Sequence, residues 1–216
     1  MYFRQLQVTG EDFVGLLGFA SDAYSILSKN FPEESVLGVP ELRTRVYCTG
    51  LVGLFCAGNS KGVLIPSLVS DDEVEKLKGF LEPLGVEVGV VGGEYTALGN
   101  LVCANDKGAI ASPNVRDKDV LEDVLGVEVV QEPVGGHADV GAVVYATNNG
   151  FIAHPDLEKE LSSVEDVLGV KGLCTTVNFG SPYVKAGVIA NSNGYMTGLR
   201  TSGVEMGRLD DGLGFI

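Results

Sequence analysis

The chain has 216 residues, 45% of them hydrophobic, and a formal charge of −14 at neutral pH. That length and apolar fraction support one large domain or two small ones with a real core. The charge argues against a simple phosphate-neutralising nucleic-acid binder, which needs a basic face, and no run of eighteen apolar residues marks a membrane span.

The first residues, MYFRQLQVTGED, lack the apolar stretch of a signal peptide, so the cytoplasm is the expected location. Residues 2–8 read as an isolated strand, and Thr9-Gly10-Glu11-Asp12 turns the chain. Residues 14–19 and 24–27 predict a strand pair. Pro32-Glu33-Glu34-Ser35 then predicts a stunted helix of little more than one turn. Residues 43–47 lead into a second, better-formed copy. There residues 51–57 and 63–65 flank the turn Asn59-Ser60-Lys61-Gly62. Ser70-Asp71-Asp72-Glu73 is a capping box, and Val74, Leu77, Leu81 and Leu84 follow at helical spacing.

The third copy shows the unit most plainly. Residues 101–104 predict a strand and Asn105-Asp106-Lys107-Gly108 a turn, its glycine expected at positive φ. Residues 109–111 predict the return strand, ended by Pro113. A helix is expected over residues 117–125, closed by Gly126, and a new strand from Val127. The fourth copy spans residues 140–170, with Asn148-Asn149-Gly150 between its strands and Val164, Val167 and Leu168 on its helix. The fifth runs from Val184 to the end. It has a Ser202/Glu205 capping box and a helix weakened by Gly203, Gly207 and Gly212.

Leu-Gly-Val recurs at Leu37, Leu84, Leu125 and Leu168, and as Leu-Gly-Phe at Leu213, in steps of 41 to 47 residues. Ser21, Asn59, Asn105, Thr147 and Asn191 each open a turn in phase with it. The residue before each turn is small: Ala20, Gly58, Ala104, Ala146 and Ala190. Fixed-period self-similarity predicts a repeat architecture, here a single α/β domain over residues 1–216. The fifth copy lacks a final strand, and residues 2–8 form a strand without a partner. An open strand edge is a liability, so the amino-terminal strand is expected to complete the fifth copy and close a ring. The small residues before the turns are expected near its pseudo-fivefold axis.

Chemistry-bearing constellations are few. His137 and His154 show no metal-ligand spacing, and His154 occupies the place held by Ser112 in the third copy. Cys48, Cys56, Cys103 and Cys174 show no C-x-x-C pattern, which suits buried thiols in a reducing compartment. Gly135-Gly136 is too short for a phosphate loop. No cysteine or histidine is expected to be functionally required, and no metal, cofactor or catalytic residue is expected.

Leu98-Gly99-Asn100 with Asn105-Asp106, Asn59-Ser60-Lys61-Gly62 with Pro66, Val177-Asn178 with Gly180-Ser181, and the closing segment 205–214 resemble the archaeal and eukaryotic translation initiation factor 6 family. The resemblance covers the whole chain, which ends just after the fifth helix as archaeal members do. It implies a pentein fold, an α/β-propeller, without enzymatic activity. It implies binding to the joining face of the large (50S) ribosomal subunit, mainly to a basic ribosomal protein next to the sarcin–ricin loop, with little direct rRNA contact. It further implies a block on association of the small (30S) subunit and a part in large-subunit biogenesis, performed by a monomer. Because all repeat turns leave one rim, Asn59, Lys61, Asn105, Lys107, Asn148 and Asn191 are the expected ribosome-binding residues, with Arg200 and Arg208 in the C-terminal sector. Two other readings stay open. One is a pentein enzyme that modifies guanidino groups, although Cys174 lies too early for the nucleophile such enzymes need. The other is a ring-shaped binding module with a different protein partner.

Overall fold

The computed structural model of the chain describes residues 2–32 and 35–216. Five three-stranded sheets follow one another. In the first repeat a 3-10 turn, Val14–Leu16, precedes β2 (Gly18–Ala20), β3 (Ser25–Ser28) and β4 (Glu41–Thr44), while β1 (Phe3–Leu6) lies ahead of it. The second repeat holds α1 (Val52–Phe55), β5 (Ala57–Gly58), β6 (Gly62–Pro66), α2 (Asp71–Leu81) and β7 (Glu87–Val91). The third holds α3 (Leu98–Leu101), β8 (Val102–Ala104), β9 (Ala109–Ala111), α4 (Lys118–Leu125) and β10 (Val129–Gln131). The fourth holds α5 (Val140–Val143), β11 (Val144–Ala146), β12 (Phe151–Ala153), α6 (Leu161–Leu168) and β13 (Gly172–Cys174). The fifth ends the chain with α7 (Val184–Gly187), β14 (Val188–Asn191), β15 (Gly194–Gly198) and α8 (Gly203–Gly212).

Each sheet is an antiparallel hairpin extended by a parallel third strand, as in β8–β9–β10. In the fifth repeat the third strand is β1, which runs parallel to β15 with Phe3 opposite Tyr195 and Leu6 opposite Gly198. The strand expected to complete the fifth copy therefore does so. The stunted helix expected at residues 32–35 falls partly on Glu33 and Glu34, outside the described residues.

One expectation needs correction in every repeat but the third, where the predicted strand 101–104 is strand from Val102 onward and the helical turn α3 precedes it. In the others the first predicted strand begins as a single helical turn, and only its second half is strand. A short apolar run cannot be assigned to strand or buried helix from its pattern alone. Packing decides it here. Gly15, Gly53, Gly99 and Gly141 occupy the second place of these turns, and a Cβ on any of them would overlap a carbonyl oxygen of the preceding repeat's turn. Backbone of one turn thus lies directly on backbone of the next, which only glycine allows.

The Leu-Gly landmarks mark where the helix or its equivalent ends. Gly38, Gly85, Gly126, Gly169 and Gly214 all take left-handed φ between 58° and 77°, the conformation glycine adopts at helix ends. The leucine before the glycine is buried in four copies. Leu84 differs. Pro83 opens a 3-10 turn after α2, so Leu81 fills the core and Leu84 faces outward, contrary to the helical spacing expected of it. Both capping boxes, Ser70/Glu73 and Ser202/Glu205, are formed.

The core is divided among five clusters, each shared by two repeats. Leu77 and Leu81 of α2 pack with Phe19 and Ile26 of the first repeat. Leu121 and Leu125 of α4 pack with Ala57 and Leu64 of the second. Val164 and Leu168 of α6 meet Cys103 and Ile110 of the third, and Leu209 and Leu213 meet Tyr145 and Ile152 of the fourth. Leu27 and Leu37 of the first repeat meet Ile189 and Met196 of the fifth. At about 1.5–3 kcal/mol per buried aliphatic side chain, no repeat can hold its hydrophobic face without its neighbour. Among the described residues no helix is long and apolar enough to cross a membrane.

Candidate functional site

The repeat turns gather at the end of the molecule where the helices finish. Asn105 shows their logic. Its Oδ1 accepts from Lys107 N at 2.9 Å and Gly108 N at 3.1 Å, closing its own turn. Its Nδ2 donates to Thr147 O at 3.0 Å and to Leu168 O, at the end of α6, at 2.8 Å. Asn59 makes the same four bonds, reaching Asn105 O and Leu125 O. Asn191 makes them to the first repeat, at Ser21 O and Leu37 O. All three are buried and spend their hydrogen-bonding groups on the frame. The turn glycines do not take the positive φ that the sequence leads one to expect. They are glycine because a Cβ on Gly62, Gly108, Gly150 or Gly194 would overlap a carbonyl of the adjoining repeat.

Asn148 belongs one step further in. With Asp22, Ser60, Asp106 and Ser192's neighbour Asn191 it lines a cavity formed by all five repeats, walled by the small residues Ala20, Gly58, Ala104, Ala146 and Ala190. Its Nδ2 donates to Asp22 Oδ2 at 2.7 Å and Asp106 Oδ2 at 2.6 Å, while Asp106 N donates to its Oδ1 at 2.9 Å. Lys61 and Lys107 lie outside this mouth, exposed. Lys61 Nζ donates to Gly126 O at 2.8 Å, and Lys107 Nζ donates to Gly169 O at 3.3 Å. Each puts a cation at a helix C-terminus, where the dipole favours it.

Deeper along the same line a small cavity of about 30 Å³ is lined by Phe19, Cys103, Tyr145 and Lys185, among others. Lys185 stands where the other four repeats have glycine. It is buried, its Nζ donates to Gly53 O at 3.2 Å and Gly15 O at 3.4 Å, and it sits 5.6 Å from the centre of the Tyr145 ring. Burial pulls its ammonium down to about 8. Burial also pushes the thiols of Cys56, Cys103 and Cys174 up to about 12, which leaves them protonated at neutral pH and poor nucleophiles.

The opposite end, where the helices begin, carries a second series of tight turns entering each repeat. A carboxylate at or near the start of a helix or 3-10 segment binds the backbone of each turn in repeats two to five. Cys48 N donates to Glu73 Oε1 at 2.9 Å, Gly92 N to Asp117 Oδ2 at 2.9 Å, Gly135 N to Glu160 Oε2 at 2.7 Å and Gly180 N to Glu205 Oε1 at 2.8 Å. The two partners are 25 residues apart every time. That constant spacing was available in the sequence and was missed, because carboxylate-to-backbone bonds leave no residue pattern on the turn side.

The fifth-repeat turn is the most constrained. Asn178 and Phe179 both take left-handed φ, 51° and 64°, which costs a bulky residue about 1–3 kcal/mol. Glu205 holds them: Phe179 N donates to its Oε2 at 3.1 Å, and Thr176 Oγ1 donates to its Oε1 at 2.7 Å. Burial pushes the Glu205 carboxyl up, but hydrogen bonds from Ser202, Thr176 and Gly180 outweigh it and hold the group below its ordinary value. The Phe179 ring is 76% exposed, and Val204 and Leu199 beside this network are also exposed. Arg200 lies in this sector, exposed and without a hydrogen bond or ion pair among the described residues. Arg208 turns its guanidinium to Cys174 O, with Nε at 3.2 Å. The residues expected to bind together thus divide: the asparagines and lysines stand at one end, Arg200 at the other.

His137 and His154 meet at this second end, their ring centres 4.8 Å apart, a convergence their sequence spacing does not announce. His154 does fill the place of Ser112: its Nδ1 accepts from Asp156 N at 3.0 Å as Ser112 Oγ accepts from Asn114 N at 3.2 Å. Burial holds its imidazole below the ordinary value, against the pull of Asp156.

A rigid α/β repeat protein with two chemically different ends is the class this geometry defines. The sequence model of the eIF-6 family matches residues 3–212. Translation initiation factor 6 of Pyrococcus horikoshii is 33% identical over 100% of both chains. That of Saccharolobus islandicus strain L.S.2.15 is 32% identical over 99% of this chain and 100% of its own. That of Methanocaldococcus jannaschii is 34% identical over 96% of each. The chain belongs to the eIF-6 family.

Proposed function

We propose that this protein is a translation initiation factor that binds the large ribosomal subunit, on its joining face, and keeps the small subunit from associating. The observation that supports this reading is the end-to-end match to relatives named translation initiation factor 6. In this reading the five repeats form a closed α/β-propeller of the pentein type, sealed by β1, and the protein works as a monomer in the cytoplasm, without catalysis. It also takes part in large-subunit biogenesis. A frame whose repeat turns are stapled to one another suits exclusion by bulk, because it loses little conformational freedom on docking.

The net charge of −14 favours a basic protein surface next to the sarcin–ricin loop over rRNA itself. We assign the central contact to the fifth-repeat sector, with Phe179 as the apolar anchor and Arg200 and Arg208 beside it. Rigid exposed aromatic and arginine side chains are the usual sources of binding energy at interfaces. Lys61 and Lys107, with Asn148 behind them, offer a second contact at the turn end. Asn59, Asn105 and Asn191 then act through the frame they hold.

Co-sedimentation with purified large and small subunits tests the reading. The protein should travel with the large subunit alone and lower the joined fraction in step with its occupancy. Sedimentation with neither subunit, or undiminished joining at full occupancy, overturns it. Paired substitutions separate the two ends: Phe179→Ser with Arg200→Glu should abolish binding, and Lys61→Glu with Lys107→Glu should weaken it less.

A further inference from the structure

The two histidines of the chain lie in different segments, yet they meet at one spot in the fourth repeat. His137 closes the tight turn that starts at Val134. His154 caps the 3-10 segment Pro155–Lys159. Glu160 pins the first to the second by accepting from Gly135 N. Between the two rings stands Asp156. Its Oδ2 is 3.5 Å from His137 Nε2 and 3.7 Å from His154 Nδ1. One nitrogen of each ring and this carboxylate oxygen all lie within 4.8 Å of one another, the one such group of three found among the described residues.

The protonation pattern makes the arrangement telling. Asp156 N donates to His154 Nδ1, so the neutral ring carries its proton on Nε2 and its Nδ1 lone pair is held by that amide. Asp139 Oδ1 stands 4.0 Å from His137 Nδ1, and Asp156 Oδ2 stands nearer, 3.5 Å from its Nε2. Asp156 adds anionic oxygen. Two imidazole nitrogens and a carboxylate oxygen therefore stand together, the His154 nitrogen already accepting from Asp156 N.

We propose that His137 Nε2, His154 Nδ1 and Asp156 Oδ2 form a binding site for one divalent transition-metal ion of the zinc type. Bonds of about 2.0–2.1 Å in a tetrahedral site place neighbouring donors roughly 3.3–3.4 Å apart; the 3.5 and 3.7 Å separations from Asp156 Oδ2 are close to this, and the donors, within 4.8 Å of one another, close the rest by side-chain rotation. Two imidazoles and one carboxylate select zinc, cobalt or nickel over magnesium or calcium. Water takes the fourth position. Asp139 orients the His137 ring, as carboxylates behind metal-bound histidines do. The ion displaces Asp156 N from His154 and ties the Val134 turn to the 3-10 segment, fixing the fourth-repeat sector of the helix-start end.

The test uses the full-length, tag-free, metal-stripped chain in a Cys48→Ser background, since Cys48 is an exposed thiol that could bind metal by itself. Zinc chloride is titrated by calorimetry, and cobalt(II) by its visible absorption. One equivalent should bind, with cobalt bands of tetrahedral type. His137→Gln and Asp156→Asn should each weaken binding by about tenfold or more while melting normally. His154→Asn, whose side-chain oxygen can keep the cap on Asp156 N, should do the same. No saturable uptake, or uptake unchanged in His137→Gln, overturns the proposal.

Discussion

Asn191 of the fifth repeat is bonded to Leu37 of the first, Nδ2 to carbonyl oxygen at 2.8 Å. The contact joins residues 154 positions apart, and Asn59 and Asn105 repeat it between consecutive repeats. Its removal is informative. Asn191→Ala strips the partner from Ser21 O and two turn amides and leaves Leu37 O with Asn193 Nδ2 alone. At about 1 kcal/mol per lost bond, more where a buried group stays unpaired, destabilisation of about 3 kcal/mol is expected in urea unfolding. Thr147→Ala should cost about 1 kcal/mol, because Thr147 closes its own turn without reaching the next repeat. Equal costs for the two variants would remove the inter-repeat role.

Deletion of residues 2–8 takes away β1 and leaves an open edge on β15. It also removes the Tyr2 ring stacked on Phe215 at 4.9 Å and the Phe3 ring stacked on Tyr195 at 5.9 Å. Loss of buried Leu6 and Val8 alone costs about 3–6 kcal/mol, and the bare edge invites pairing with a second chain. Light scattering should report association and calorimetry a lower Tm. A monomeric deletion variant with unchanged Tm would show that β1 is dispensable.

Lys185 gives stability an alkaline signature. Its ammonium titrates near 8 when folded and near 10.5 when unfolded, so the unfolded chain binds more protons between those values and folding gains as pH rises through that window. Below 8 both states are charged and the full penalty of burial is felt. Lys185→Met removes this dependence. The stability of the variant relative to the parent should therefore fall by up to about 3 kcal/mol from pH 7 to pH 10.5. A constant difference across that range would mean the ammonium is not desolvated.

Glu205 should make the fifth-repeat turn sensitive to acid. Its folded value lies below the ordinary 4.5, so its contribution is present above 4.5 and is lost as pH falls through the folded value. Glu205→Gln should cost about 2 kcal/mol at neutral pH and flatten the acid limb of the unfolding curve. Hydrogen exchange at Phe179 N and Gly180 N should accelerate in the variant at pH 7; unchanged protection there would contradict the clamp.

Phe179→Gly separates stability from binding. Glycine adopts the φ of 64° without strain, so the fold should gain about 1 kcal/mol. Affinity for the large subunit should drop at least about tenfold if the ring is the anchor. A variant that is more stable and binds as well as the parent would move the contact away from this sector.

The sequence by itself determined the elements whose causes are local. Five Leu-Gly landmarks foretold five helix or segment ends, because a left-handed terminus demands glycine wherever it falls. The capping boxes at Ser70 and Ser202 depend on residues three apart. The lone strand at the start, and the missing strand at the end, were enough to pair β1 with β15. Tertiary structure decided what depends on a neighbouring repeat. Asn59, Asn105 and Asn191 looked like ordinary turn residues, and only the adjoining carbonyls reveal them as staples. Gly108 looked like a residue chosen for its φ, and only the backbone of α6 shows it was chosen for lack of a side chain. Gly15, Gly53 and Gly141 sat inside apparent strands until backbone packing made helical turns of them. His137 and His154 were seventeen residues apart with nothing to link them until the Val134 turn folded onto the 3-10 segment. In each case the deciding partner is a backbone atom or a side chain set by another element, and a backbone carbonyl has the same appearance in every sequence.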